Sequence, residues 1–472
     1  MRSTTGCGVT YSDDTRHLPT RHEAPMFDRT RLLRKKDARE IEIIPCVTRA
    51  CPAEARVDRA ERSGLPAEAR VDRAERRLAI ALACYNSVCP RTSTLRAPRH
   101  RFFEEPFSPA VTRSELLAIV PDVADMDLAE LEAALVARGS EPFHARQIYR
   151  WIYARGVSEF DAMTDLSQVL RTTLAADLRV TTPRVSRRDV SADGTTKFLL
   201  TLEDGLDIES VFIPDTPSNT FCISTQVGCA MKCGFCLTGK MGLVRNLTAG
   251  EIAGQVRVLA AETGLRDKRF NIVLMGMGEP LHNYDHTMKA LRMLASPHGL
   301  AVSPRRITLS TVGVVPALDR LAREPLMPNL AISLHATTED QRDFLVPVNR
   351  KYGLEDILEA CRRFPLKHRN RITIEYVLLR GVNTSEQDAR RLVRLMHGIR
   401  CKINLIPLNE APGIPFERPT DAEIDAFASI LADHHLTVSV RKSRGRDIRA
   451  ACGQLIVESP RRSPAQVLAD RM

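Results

Sequence analysis

Cys222-Ile223-Ser224-Thr225-Gln226-Val227-Gly228-Cys229-Ala230-Met231-Lys232-Cys233-Gly234-Phe235-Cys236 decides the reading of this chain. Its first six residues, Cys222–Val227, read as a strand. Three cysteines follow at C-x3-C-x2-C spacing, with an aromatic, Phe235, just before the last. Three thiolates can hold three corners of a cubic four-iron cluster and leave the fourth iron without a protein ligand, as a cluster that binds and reduces a substrate requires. A structural zinc site wants four closed ligands, commonly from paired C-x2-C units. The next histidine here is His282, and no second pair follows. The trio Cys229, Cys233 and Cys236 therefore reads as a [4Fe–4S] ligand set.

Downstream, strand and helix patterns alternate at intervals of about 30 residues. The strands read are Cys222–Val227, Asn271–Met275, Ile307–Ser310, Leu330–Leu334, Ile372–Leu378 and Lys402–Ile406. Helical patterns such as Ala249–Thr263, Asp285–Leu294 and Glu386–His397 lie between them. Regular βα units predict an α/β fold with a parallel sheet covered by helices, here a partial (β/α)6 barrel with its chemistry at the strand C-termini. The polar motifs fall at those ends: Cys229 after the first strand, Gly276–Pro280 after the second, Ser310 in the third, His335 after the fourth and Asn409 after the sixth.

Upstream, residues 181–214 read as a strand-rich connector with an Asp204–Gly205 turn, and residues 110–180 as a helical accessory domain able to touch RNA. Residues 1–109 differ from the rest: Pro52 to Arg62 recurs unchanged at Pro66 to Arg76, a repeat too short and too few for a solenoid. This extension is expected to be disordered, and residues 456–472 to form a tail. The chain's net charge is +10, of which residues 1–112 carry +6 (21 Lys+Arg against 15 Asp+Glu), so charge alone argues only slightly for a polyanionic partner. No apolar run approaches a membrane span, no secretory leader is visible, and twelve cysteines spread over 472 residues fit a reducing cytoplasm.

The ordered motifs resemble one branch of the radical S-adenosylmethionine (SAM) superfamily. Ile208-Glu209-Ser210-Val211-Phe212-Ile213-Pro214 leads into the cysteine stretch; Met275-Gly276-Met277-Gly278-Glu279-Pro280, Ser310-Thr311-Val312-Gly313 and Ser333-Leu334-His335-Ala336 come next. Asn404 to Asn409, Arg441-Lys442-Ser443-Arg444-Gly445 and Ala451-Cys452-Gly453-Gln454-Leu455 close the set. Together they look like the dual-specificity ribosomal and transfer RNA adenine-C2 methyltransferases (the RlmN type), over about Ala110 to Leu455. Val312 and His282 depart from the expected pattern.

The resemblance implies a radical SAM barrel over residues 215–455. It implies cluster ligation by Cys229, Cys233 and Cys236, and SAM contacts from Gly278, Glu279, Ser310, Ser333, Leu334, His335 and Asn409. An aromatic C–H carbon is no nucleophile, so methylating adenine C2 calls for a radical supplied by the cofactor. In the family's mechanism Cys452 carries a methyl group taken from SAM, and the methylene radical derived from it adds to the base. Glu209 accepts the C2 proton, and a disulfide between Cys452 and Cys222 releases the RNA. The implied partners are 23S rRNA, tRNA and an electron donor such as flavodoxin, with no membrane; oligomeric state is left open. The basic run Arg441, Lys442, Arg444, Arg446 and Arg449 is assigned to RNA phosphates. A sister enzyme acting on adenine C8 shares nearly every motif, and a non-catalytic Fe–S RNA-binding protein would need neither Glu279, Asn409 nor Cys452.

Overall fold

A computed structural model describes residues 120–214 and 218–457. The repeat and the rest of residues 1–109, like the tail from residue 458 onward, lie outside the described residues.

Twelve strands carry the fold: β1 (Arg184–Val190), β2 (Thr196–Thr201), β3 (Asp207–Ile213), β4 (Thr220–Cys222), β5 (Gln226–Gly228), β6 (Leu243–Asn246), β7 (Asn271–Leu274), β8 (Ile307–Thr311), β9 (Asn329–Ser333), β10 (Ile372–Leu378), β11 (Cys401–Pro407) and β12 (Val438–Val440). Ten form one sheet in the order β1-β2-β3-β4-β7-β8-β9-β10-β11-β12. From β4 to β12 every neighbour is parallel, while β1 to β4 are joined antiparallel. The sheet order does not close on itself, so the barrel is partial, as the βα alternation predicts. The strands of the 181–214 stretch continue this sheet. The hairpin between β2 and β3 turns at Asp204–Gly205, where the Asp204 carboxylate accepts from the Leu206 N–H at 3.0 Å.

The sequence predicts a single strand over Cys222–Val227; the structure divides it. β4 ends at Cys222, and β5 leaves the large sheet to pair with β6. Ser224 marks the break: its hydroxyl donates to Glu209 O at 2.6 Å and accepts from Met277 N at 2.9 Å. Those bonds turn the chain toward the strand C-termini, where the cysteines stand. Gly228 completes the turn with φ 77°; a Cβ there would lie 1.9 Å from the Gly242 carbonyl oxygen. Only glycine meets both demands.

The core runs along the sheet. Ile272, Leu309, Ile332, Ile374 and Ile403 are fully buried under helices such as Ala249–Glu262, whose capping box joins Thr248 and Glu251. The upstream helices Leu128–Val136, Phe143–Tyr149 and Gln168–Asp177 bury Tyr149 and Tyr153, as the aromatic spacing of that stretch suggests. A π-type turn, Arg150–Ala154, extends the second of them. Trp151 is half-buried, with the Arg155 guanidinium 3.9 Å from its ring centroid. The segments flanking these helices meet the barrel: Gly250 N–H donates to Asp125, before the first helix, at 2.7 Å, and Arg257 donates to Thr182, after the last, at 2.7 Å. Among the described residues no helix is long and apolar enough to cross a membrane.

Candidate active site

A cavity of about 150 Å³ opens at the C-terminal ends of the parallel strands. Cys229, Cys233 and Cys236 line one side; Gly278, Glu279, Ser310, Ser333, His335 and Asn409 line the rest. Strand ends present these residues because the C-terminal edge of a parallel sheet is where βα loops converge.

Each polar group there is oriented. Glu279 is buried; its carboxylate accepts from Leu281 N at 3.0 Å and Val312 N at 2.9 Å. Burial pushes its carboxyl up to about 6, against the pull of these bonds. The adjoining Gly278 has φ 102°, and a Cβ there would lie 2.6 Å from that of Gln226, so the close packing of Gln226 against this backbone requires glycine. Ser310 and Ser333 hydroxyls are 3.3 Å apart. His335 holds a left-handed φ of 61°; its Nδ1 accepts from Val377 N at 3.0 Å. Burial, helped by Arg342, lowers the imidazole to about 3, which keeps it neutral. Phe235 stands edge-on to that ring at 4.8 Å. Leu334 differs from its neighbours: its side chain is fully buried and absent from the cavity wall, and its N–H donates to Glu375 O at 3.0 Å.

Cys452 is half-buried and lines both this cavity and a smaller one of about 20 Å³ that Cys222 also lines. Burial pushes the Cys222 thiol up to about 12, with the neighbouring Cys452 adding to the rise and Arg441 opposing it. Both cysteines are free, as are all seven among the described residues. The expected disulfide is therefore not present: in this state the two sulfurs share a cavity as separate, reduced thiols.

Glu209 leaves β3 two residues before Val211, which pairs with Cys222 across the antiparallel ladder. Side chains two apart share a face and cross-strand partners share it too, so Glu209 and Cys222 project the same way. The Glu209 carboxylate meets Lys197 Nζ at 2.8 Å and accepts from Ile456 N at 2.8 Å. Burial raises its carboxyl, and Lys197 opposes that rise.

Three groups escape a sequence reading. Lys197 reaches Glu209 from β2, where it sits opposite Val211 and so diagonally across the ladder, a neighbour that no local motif signals. Glu375 lines the cavity, 4% exposed, accepting from Asn404 Nδ2 at 2.6 Å. A lone acid in the apolar run Ile372-Thr373-Ile374-Glu375-Tyr376-Val377-Leu378 was the available clue. Arg441, expected on phosphate, is half-buried and lines both cavities beside Cys452. The two departures from the motif pattern are accommodated: Val312 works through its backbone, and His282 Nδ1 bonds Gln226 Nε2 at 2.9 Å.

Comparison with known proteins gives this cavity a lineage. The radical SAM superfamily profile matches residues 223–393, and that of the ribosomal RNA large subunit methyltransferase N-terminal domain matches residues 121–180. A dual-specificity RNA methyltransferase RlmN from Geobacter sulfurreducens is 51% identical over 71% of this chain and 91% of its own length. The chain belongs to the RlmN family. Another RlmN, from Rhodospirillum rubrum, is 46% identical over 75% of this chain and 86% of its own. The crystal structure of a radical SAM methyltransferase from Sphaerobacter thermophilus superposes with a TM-score of 0.68, at 46% identity, over 71% of this chain and 99% of that one. As an RlmN family member the chain is a radical SAM RNA methyltransferase that uses a [4Fe–4S] cluster and SAM.

The residues present fit both groups. Burial pushes Cys229 up to about 12 and raises Cys233 and Cys236 as well, which favours their thiol forms; bound iron would turn them to thiolates. No group of three or more His, Cys, Asp or Glu among the described residues is gathered closely enough for a single metal ion. A cubane needs no such gathering, because each thiolate binds a different iron. Asn409 Oδ1 is buried without a hydrogen-bond partner in the wall of the same cavity, an acceptor left for a bound ligand.

Proposed function

We propose that the protein methylates C2 of an adenosine in 23S rRNA and in tRNA, in the cytoplasm, with electrons from a donor such as flavodoxin. The observation that carries this reading is the position of Cys452, in the wall of the cofactor cavity and of the one that Cys222 lines.

Cys229, Cys233 and Cys236 would hold the cluster; Gly278, Glu279, Ser310, Ser333, His335, Asn409 and the Leu334 backbone would hold SAM. When bound, the pair supplies a methyl group and a radical able to take hydrogen from an S-methyl group. The protein does the rest. Cys452 carries the methyl group to the base and stays bonded to it through a methylene. Glu209, whose carboxylate form Lys197 and the Ile456 N–H favour against the pull of burial, takes the C2 proton. Cys222, on the same face as Glu209, loses its thiol proton and bonds to the Cys452 sulfur as the carbon–sulfur link to the RNA breaks, and the released methylene carbon takes up a proton to become the methyl group. The helices of residues 110–180 and the exposed part of the basic run, Lys442 and Arg446, would meet RNA phosphates. The target adenosine must leave any duplex, since stacking and pairing hide C2.

The test pairs two variants with labelled RNA. Cys222→Ala is expected to stall as a nuclease-sensitive protein–RNA adduct on a denaturing gel, and Cys452→Ala to give neither adduct nor product. Digests of wild-type reactions are expected to contain 2-methyladenosine. Recovery of 8-methyladenosine would replace this reading, and free methylated RNA from Cys222→Ala would remove Cys222 from the mechanism.

A further inference from the structure

Arg342 lies in the short helix Glu339–Leu345 and is fully buried. A buried guanidinium usually faces a carboxylate. This one does not. Its four hydrogen bonds end on neutral oxygens: Leu334 O at 3.1 Å, Asn349 Oδ1 at 2.8 Å, Val312 O at 2.6 Å and Ser333 O at 3.4 Å. Glu339 and Asp343 make no hydrogen bond to it directly; Asn349 Nδ2 donates to both. Burial lowers the guanidinium to about 10, so it remains a cation at neutral pH.

The cysteine loop is packed against the same helix. Gly234 N donates to Leu345 O at 3.0 Å, three residues beyond Arg342. Leu345 and Val346 share one apolar cluster with Cys229 and Cys233. Val312, whose carbonyl takes the shortest Arg342 bond, lines the cavity with all three cysteines.

We infer that Arg342 is the buried counter-cation of the iron–sulfur cluster and sets its reduction potential. A cubane held by three thiolates is net negative and becomes more so on reduction. A fixed cation in a low-dielectric wall stabilises the reduced state more than the oxidised one. It thereby raises the midpoint toward the reach of a biological donor. The four bonds to neutral oxygens fix the charge in place without neutralising it. Arg342 acts through the cluster and is a positioning residue. The inference rests on ligation by Cys229, Cys233 and Cys236.

The experiment is a redox titration of anaerobically reconstituted protein, followed by electron paramagnetic resonance. Arg342→Gln is expected to move the midpoint to more negative potentials, and Arg342→Lys to restore it toward the wild-type value. Asp343→Asn, which removes an opposing charge and leaves Arg342 in place, is expected to move it the other way. That variant decides the matter if Arg342→Gln fails to fold or to take up iron. Midpoints unchanged in every folded variant, Asp343→Asn included, would overturn the inference. Absence of a cluster signal in the wild-type protein would instead sink the ligand assignment.

Discussion

Glu209, the proton acceptor of the proposed mechanism, is a buried acid pulled two ways by its surroundings. At 1% exposure, desolvation favours its neutral form, and Lys197 with the Ile456 N–H favours the carboxylate. Lys197→Met would leave desolvation with less opposition, so the carboxyl would rise further above its ordinary value. The base form would then require a higher pH, and the acidic limb of the pH–rate profile is expected to move upward. Loss of a charge-assisted hydrogen bond, about 1.5–3 kcal/mol, corresponds to roughly a ten- to hundredfold fall in rate below the new limb. Single-turnover rates measured across pH check this; Lys197→Arg should recover much of the loss, and an unmoved limb would contradict it. Glu209 itself could be marked from its motif, but Lys197 could not, because their pairing spans the β2–β3 ladder and leaves no trace in spacing. Arg342 was hidden for a related reason. In Glu339-Asp340-Gln341-Arg342-Asp343 it looks like one more solvated charge, and only the packing of the helix against β8 and β9 buries it.

At the scale of elements, the sequence displays alternation well and junctions poorly. The buried runs Ile307–Ser310 and Ile372–Leu378 are apolar because both faces of a parallel sheet are covered, and both emerge within β8 and β10 as read. Cys222–Val227 was read as one strand since Ser224 and Thr225 suit strand conformation. The bond from Ser224 to Glu209 O that breaks it is nonlocal. The hairpin of β5 and β6 that follows has a direct bearing on the cluster. Gly228→Ala adds a methyl group against the Gly242 carbonyl, a backbone atom that cannot rotate away, and displaces the adjoining Cys229. Iron content after reconstitution is expected to fall severalfold. Gly205→Ala is the control: φ is likewise positive at 81°, but nothing lies within 4 Å of a Cβ there. Its strain of about 1–2 kcal/mol should lower thermal stability and leave iron content intact. Equal iron in the two variants would show that the hairpin does not position the ligands.

For the whole molecule, the family match begins at residue 121. A chain beginning at Ala110 is therefore expected to retain most turnover on RNA. Comparison with the full chain at equal cluster content checks this, and a large loss would assign RNA binding to the extension. At the other end, the segment bearing Cys452 is stitched to three separate regions. Gly453 O accepts from Leu237 N at 2.8 Å and Leu455 O from Thr238 Oγ1 at 2.6 Å, just after the last cluster cysteine. Gln454 Nε2 donates to Glu410 O at 3.0 Å, and Ile456 N reaches Glu209. Three of these four bonds are neutral; the fourth depends on charge. A carboxylate holds an N–H more strongly than a carboxylic acid does. If Glu209 accepts the C2 proton as proposed, its hold on Ile456 would weaken, and the strap behind Cys452 would slacken after the carbon–hydrogen bond has broken and not before. On that reading the acid that accepts the proton would also be the clock of the step.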